Sequence, residues 1–146
     1  MATTELRFVV PEGPWGTVYA DPPWQLRTGG VKRKLQYDTM STETICALGS
    51  GLDMAPGAHL WLWSTNPHLP EALTVMTSWD FGYKSMITWN KKRIGIGWWL
   101  RSATEHCLLG VRQMQGSRGT AKYHRVSPGA ISTYIEGGYR GHSRKP

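Results

Sequence analysis

Cysteine is nearly absent from this chain: Cys46 and Cys107 are the only two in 146 residues. Two thiols at that separation have neither the number nor the spacing of a disulfide framework or a zinc site, so both read as reduced core residues. Long apolar runs are missing as well. No stretch approaches the roughly 20 residues of a spanning helix, and Met1 to Val10 lacks a basic start followed by an apolar block, which predicts a soluble, unexported, cytoplasmic protein without a membrane partner. No His-x-x-x-His or Cys-x-x-Cys pair occurs, so no metal is assigned, and His59 and His106 read as core or supporting residues. Gly95-Ile96-Gly97 lacks the third glycine of a dinucleotide fingerprint, and neither a Gly-x-x-x-x-Gly-Lys loop nor a Gly-x-Ser-x-Gly elbow is found. Acidic charge is scarce in one half only. Residues 1–83 hold five Lys/Arg and eight Asp/Glu, net −3, whereas residues 84–146 hold twelve and two, net +10.

What is plentiful points to a packed domain with a polyanionic partner. Hydrophobic residues are 40% of the chain, with eight Trp and 17 Gly, too apolar and aromatic for a disordered tail. The length is that of one domain, residues 1–146. In the basic half, Trp89, Trp98, Trp99, Tyr123 and Tyr139 interleave with Lys91, Lys92, Arg93, Arg101, Lys122 and Arg125. Cations raise local phosphate concentration and aromatic rings stack bases, so this half reads as a nucleic-acid groove, the alternative being ordinary solubilising charge.

Periodicity alternates short apolar runs with helical patterns, as in an α/β sheet. Trp15 to Ala20 predicts a strand closed by two prolines. Ser41 as N-cap and Glu43 in the first turn predict a short helix through Ile45 and Leu48 to a stop at Gly49. Ala58 to Ser64 predicts a second strand, Pro70 opens a helix over Glu71 to Trp79, and strands follow at Tyr83 to Trp89, Thr104 to Val111 and Ala130 to Ile135. Lys91 to Arg101 reads as a basic, Gly-broken loop, and Gln113 to Ser127 as polar and mobile.

In open parallel sheets ligands bind beyond the carboxyl ends of strands, which directs attention to Asp21-Pro22-Pro23-Trp24. Pro22 forces Asp21 out of the helical region, and two prolines remove two N–H donors, so the turn presents acceptors. With Trp24 as an apolar plate, such a slot suits a flat ring carrying an amino group. The alternative is that the tetrapeptide merely ends a strand.

The rest of the chain weighs on that choice. Tyr19 to Trp24, Tyr37 to Ser41, His59 to Asn66, Ile87 to Lys91, Gly97 to Arg101, Thr104 to Val111 and His142 to Pro146 form seven collinear segments. Together they make the sequence similar to the adenine N6-methyltransferases of the Asp-Pro-Pro-Trp type, the family of the messenger-RNA adenosine methyltransferase catalytic subunit and its bacterial and phage relatives. The resemblance implies a permuted, Rossmann-like α/β sheet and S-adenosylmethionine as cofactor. It implies that Asp21 and the Pro22 carbonyl hold the adenine amino group, within an Asp21, Pro22, Pro23, Trp24 catalytic set in which Trp24 stacks on the base. It places Tyr37 in a loop over the acceptor and puts Glu105 and Lys145 where acceptor or cofactor is contacted, while the basic-groove reading puts Lys91 and Arg101 on the substrate. Other readings make Tyr37 a strand-edge aromatic, Glu105 a partner of Arg101 and Lys145 a solvated charge. The chain ends inside the family pattern, so the resemblance also implies a partial domain whose closing elements and part of the cofactor pocket are absent. The activity implied is adenine N6-methylation, of DNA first and RNA second. An inactive nucleic-acid-binding subunit in a homo- or hetero-oligomer is the alternative.

Overall fold

A computed structural model describes residues 12–25, 37–95, 97, 99–112, 132–137 and 145–146. Its elements run β1 (Trp15–Ala20), α1 (Thr42–Leu48), β2 (Met54–Thr65), α2 (Leu69–Ser78), β3 (Phe81–Asn90), β4 (Thr104–Arg112) and β5 (Tyr134–Glu136), with 3-10 turns at Gly49–Gly51 and Asn66–His68. The strands form one sheet in the order β1-β2-β4-β3-β5. β1 lies parallel to β2, β5 parallel to β3, and β4 antiparallel to both β2 and β3. The sheet is therefore mixed, and one edge collects the carboxyl ends of four strands together with the amino end of β4. That edge carries Asp21, Asn66, Lys91 and Glu105.

Local chemistry accounts for the boundaries. Pro22 and Pro23 close β1, since neither can donate to a ladder. Ser41 Oγ accepts the Thr44 amide at 3.2 Å and starts α1, and Gly49 ends it. Gly49 is there for space: a Cβ on it would lie 1.9 Å from Trp79 Cδ1, whose indole donates to the Ile45 and Cys46 carbonyls at 3.1 Å each. Strand β2 begins four residues before the predicted Ala58, because a register shift opposite Trp15 and Thr17 absorbs Pro56 and Gly57, the latter at φ +75°. β5 is described only over Tyr134–Glu136, and the predicted start at Ala130 and the segment Gln113 to Ser127 lie outside the described residues.

Alternation along β2 and β4 divides the apolar residues between two faces. Leu60, Leu62 and Leu108 pack against Ile45, Ala72, Val75, Met76 and Trp79, so both helices cover one face. Trp63, Trp89 and Cys107 make a smaller cluster on the other, with Trp61, Ile87 and Ile135 around it. Leu62, Leu60 and Leu108 are fully buried, each side chain contributing about 1.5–3 kcal/mol relative to exposure.

The contact at Gly49 can be tested. Gly49→Ala should destabilise the chain by about 1–3 kcal/mol in urea titration, because the methyl group meets a locked indole. Gly51→Ala, whose Cβ meets nothing within 4 Å, should stay within about 0.5 kcal/mol of wild type. Equal costs at the two positions would contradict the packing account.

Candidate active site

The Asp21-Pro22-Pro23-Trp24 turn is held from beneath. Trp24 N donates to the Pro22 carbonyl at 2.9 Å, Met40 N to the Pro23 carbonyl at 2.8 Å, and the Trp24 indole to the Trp63 carbonyl at 3.0 Å. The Trp24 ring is 8% exposed, belongs to the main core and stacks on His68 with centroids 5.8 Å apart. His68 is itself fixed, Nε2 donating to the Gln25 carbonyl and Nδ1 meeting the Thr65 hydroxyl, each at 2.8 Å. This corrects the expectation that Trp24 forms the plate on which a base stacks. An aromatic after two prolines, with the chain turning back toward Met40, fills the hole under the turn and keeps it rigid. Each proline carbonyl spends one lone pair on these bonds and retains a second.

Asp21 stands on the sheet face opposite the helices. Its Oδ2 lies 3.4 Å from Lys145 Nζ, which also donates to Glu105 Oε2 at 2.8 Å, while Lys91 Nζ donates to Glu105 Oε1 at 3.1 Å. Lys145 Nζ lies 5.1 Å from the centre of the Trp63 ring. Two carboxylates and two ammonium groups thus alternate across the ends of β1, β4 and β3.

Burial governs their titration. It pushes the Asp21 carboxyl above its ordinary 3.8, against the charge and hydrogen bond of Lys145. Burial acts the same way on Glu105 but is outweighed by Lys145 and then Lys91, which hold it below 4.5. Lys145 would lose its proton more easily through burial, yet Glu105 and Asp21 raise it above 10.5. Cys107, beneath them, is pushed up to about 12 by burial and then by the Asp21 charge, so it stays a thiol and is no nucleophile.

Of the residues singled out in the sequence, Asp21, Glu105, Lys91 and Lys145 come together. Glu105 pairs with two lysines and not with Arg101, whose Nε donates to the Gly95 carbonyl at 2.9 Å and closes the β3–β4 loop. Lys91 turns inward to Glu105 instead of facing a groove, and Lys145 is a network member instead of a solvated charge. Tyr37 is 49% exposed, three residues before the strand-like contact between Met40 and Trp24. Lys122 and Arg125 lie outside the described residues. Sequence reading missed the supports: Trp63 under Lys145, and the Asn66–His68 turn. The rule that led to Asp21, a loop directly after a strand, applies equally to Asn66. Among the described residues no three His, Cys, Asp or Glu side chains are grouped to hold a metal.

A family model described as MT-A70 matches residues 15–146. The chain is similar to an N(6)-adenosine-methyltransferase MT-A70-like protein of Drosophila melanogaster, 30% identical over 108 residues that cover 68% of this chain and 17% of that protein. It is 29% identical over 108 residues to the N(6)-adenosine-methyltransferase subunit METTL3 of Danio rerio, covering 68% of this chain and 18% of that one. With the type II methyltransferase M.MunI of a Mycoplasma sp it shares 25% identity over 121 residues, covering 68% and 52% respectively. The chain therefore spans less than a fifth of the two adenosine methyltransferases and about half of the third relative.

The charge network carries its own pH dependence. Glu105, lowered in the fold, contributes stability that is present above its unfolded value of 4.5 and is lost as pH falls through its folded value. Lys145, raised, contributes below 10.5 and loses that contribution as pH climbs through its folded value. Lys145→Met should raise the pKa of both Asp21 and Glu105 and move the acid limb of unfolding to higher pH. Carboxyl-carbon NMR titration and acid denaturation measure the two effects, and an unmoved Asp21 titration would break the link drawn between the residues.

Proposed function

Because this chain belongs to the MT-A70 family, we propose that it methylates the N6 position of adenine in nucleic acid, with Asp21 and the Pro22 carbonyl as the groups that hold the amino nitrogen. The observation carrying this reading is an acceptor-only turn at the sheet edge, with a partly buried carboxylate beside a carbonyl that keeps a free lone pair. An aromatic amino group offers two hydrogens and a lone pair delocalised into its ring. Asp21 accepting one hydrogen and Pro22 the other would fix the nitrogen and bias it toward a pyramidal form, lone pair outward. Burial raises Asp21 toward a better proton acceptor, suited to take the surplus proton once nitrogen has been alkylated.

The donor set also fits the cofactor the family resemblance implies. S-adenosylmethionine supplies an electrophilic methyl group on a sulfonium sulfur, which leaves as a neutral thioether. Asp21 is the carboxylate that would face a sulfonium cation, and the Lys145 ammonium the group that would meet a carboxylate. Glu105 keeps Lys145 charged and in place.

DNA is the substrate we infer, a reading supported by the type II methyltransferase of a Mycoplasma sp among the relatives. RNA is the second reading, favoured by the adenosine in the names of the other relatives. Association with either polymer rests on the basic half, where Arg93 and Arg101 are exposed on the β3–β4 loop.

Two outcomes are expected with labelled S-adenosylmethionine and adenine oligonucleotides of both kinds. Asp21→Ala should lower turnover by on the order of 100-fold or more while oligonucleotide affinity stays within about threefold, as expected when a transition-state contact is removed. Activity kept within a few-fold would sink the assignment, and wild-type binding without any transfer would favour the non-catalytic subunit. Separately, log affinity should fall with log salt, and Arg93→Gln should flatten that slope by about 0.7–0.9 if the guanidinium neutralises one phosphate. A salt-independent affinity would return the basic half to a solubilising role.

A further inference from the structure

His106 takes no part in that chemistry, yet it sits one residue from Glu105 with its side chain on the opposite face, buried among the strand ends. Its Nε2 is 2.8 Å from Asn66 Oδ1 and its Nδ1 is 3.1 Å from Thr88 Oγ1. The protons on this chain follow from what each atom is able to do. Asn66 Nδ2 donates to both the carbonyl and the hydroxyl of Thr104 at 3.2 Å, so Oδ1 is the atom turned to His106. Oδ1 only accepts, so Nε2 carries the hydrogen. Nδ1 then accepts from the Thr88 hydroxyl. Burial lowers the ring's pKa against the opposing pull of Glu105, which keeps the imidazole neutral in this tautomer.

The bonds span three strands at the point where the β2–β4 ladder stops while β3–β4 pairing continues through Asn90 opposite Thr104. The β2–β4 ladder ends at Thr65 opposite Glu105, and on the other side a Lys91 amide still reaches the Ala103 carbonyl at 3.0 Å. Beyond Thr65, the bonds from β2 to β4 run through the Asn66 side chain. The same Asn66–His68 turn reaches back through His68 to the Gln25 carbonyl and Trp24.

We propose that His106 is a positioning residue: by fastening Asn66 and Thr88 to β4 it fixes Glu105 between Lys91 and Lys145 and holds the Asn66–His68 turn against the Asp21–Trp24 turn. This rests on the methyl-transfer reading of the site. A donor at Nε2 is what the clasp requires, so an amide should replace the ring better than an alkyl group.

Three variants of the full chain test this. His106→Leu should lower kcat by on the order of 100-fold, the loss that follows misplacement of reacting groups by about 1 Å, with oligonucleotide KM within about twofold. His106→Gln, whose amide still donates to Asn66, should recover to within about tenfold of wild type. Wild-type turnover in folded His106→Leu, or a glutamine variant as slow as the leucine one, overturns the proposal. Should His106→Leu not fold, Thr88→Val, which removes only the hydroxyl, takes its place: a lowered kcat at unchanged KM supports the clasp, and an unchanged kcat overturns it. Nitrogen NMR of histidine-labelled protein supplies a readout free of activity, expected to show His106 neutral with the proton on Nε2. A proton on Nδ1, or a charged ring at neutral pH, overturns the clasp. A wild-type chain that shows the expected tautomer yet transfers no methyl group overturns the functional reading instead.

Discussion

An ammonium group shared by two carboxylates on a half-buried sheet face organises the site. Lys145 Nζ lies 2.8 Å from Glu105 and 3.4 Å from Asp21; the ammonium and each carboxylate favour one another's charged form, whereas Glu105 opposes the ionisation of Asp21. Removing charge from water is costly, and the cost is recovered only where partners are close and well oriented. Lys91 completes the balance, so the cluster of four carries no net formal charge. Its base is aromatic: Trp63 lies under the ammonium and Trp89 packs edge-on against Trp63. Trp89 also donates through its indole to the Gly137 carbonyl at 3.0 Å, and a Cβ on Gly137 would lie 3.2 Å from that nitrogen and 3.6 Å from Pro146 Cβ. The end of β5 is thus tied to Trp89, the ring that packs against the one under the charge network.

The reversed direction of β4, the one antiparallel strand among the described residues, makes the cluster possible. With β4 between β2 and β3 and reversed, its first residues meet the carboxyl ends of its neighbours, so Glu105 faces Asp21 across β2 and Lys91 across the β3 turn. An all-parallel sheet would have put that carboxylate at the far edge. Two histidines serve the same arrangement from the other side. His68 holds the Asp-Pro-Pro-Trp turn down, and His106 ties the strand that bears Glu105 to its neighbours. The reacting groups and their aromatic base stand on one face and the two histidines on the other, so part of the support acts from the side away from the charges.

This division explains what the sequence made legible. Helix α1 could be read to the residue because Ser41 and Gly49 act within a few positions of the segment they bound. Strands were readable from period and β-branching, with β2 short by four residues because Pro56 and Gly57 look like breakers until a bulge accommodates them. Asp21 was legible because proline chemistry is local. Trp24 was misjudged for the converse reason: whether a tryptophan is plate or plug depends on what lies behind it, and His68 and Trp63 come from 44 and 39 residues away. The pairing of Lys145 with Glu105 spans 40 positions. No periodicity encodes such a partner, and only the family resemblance had drawn the two together.

The same pairing changes how the basic half is to be understood. Of its two acidic residues, Glu105 is taken by Lys91 and Lys145, and Glu136 by Lys92 at 2.8 Å. Three lysines therefore answer the half's own carboxylates, two of them in a partly buried site and one at the surface. Salt acts on these populations differently. Exposed charges are screened over about 10 Å at ordinary ionic strength, whereas groups removed from water interact through a medium that ions do not enter. Charge that attracts a polyanion and charge that would orient an adenine are consequently subject to different control, although both come from the lysines and arginines of one short stretch. The cation excess at the surface can vary with the polymer it meets, while the internal cluster, formally neutral, must keep its geometry for Asp21 to remain a carboxylate poised beside a carbonyl.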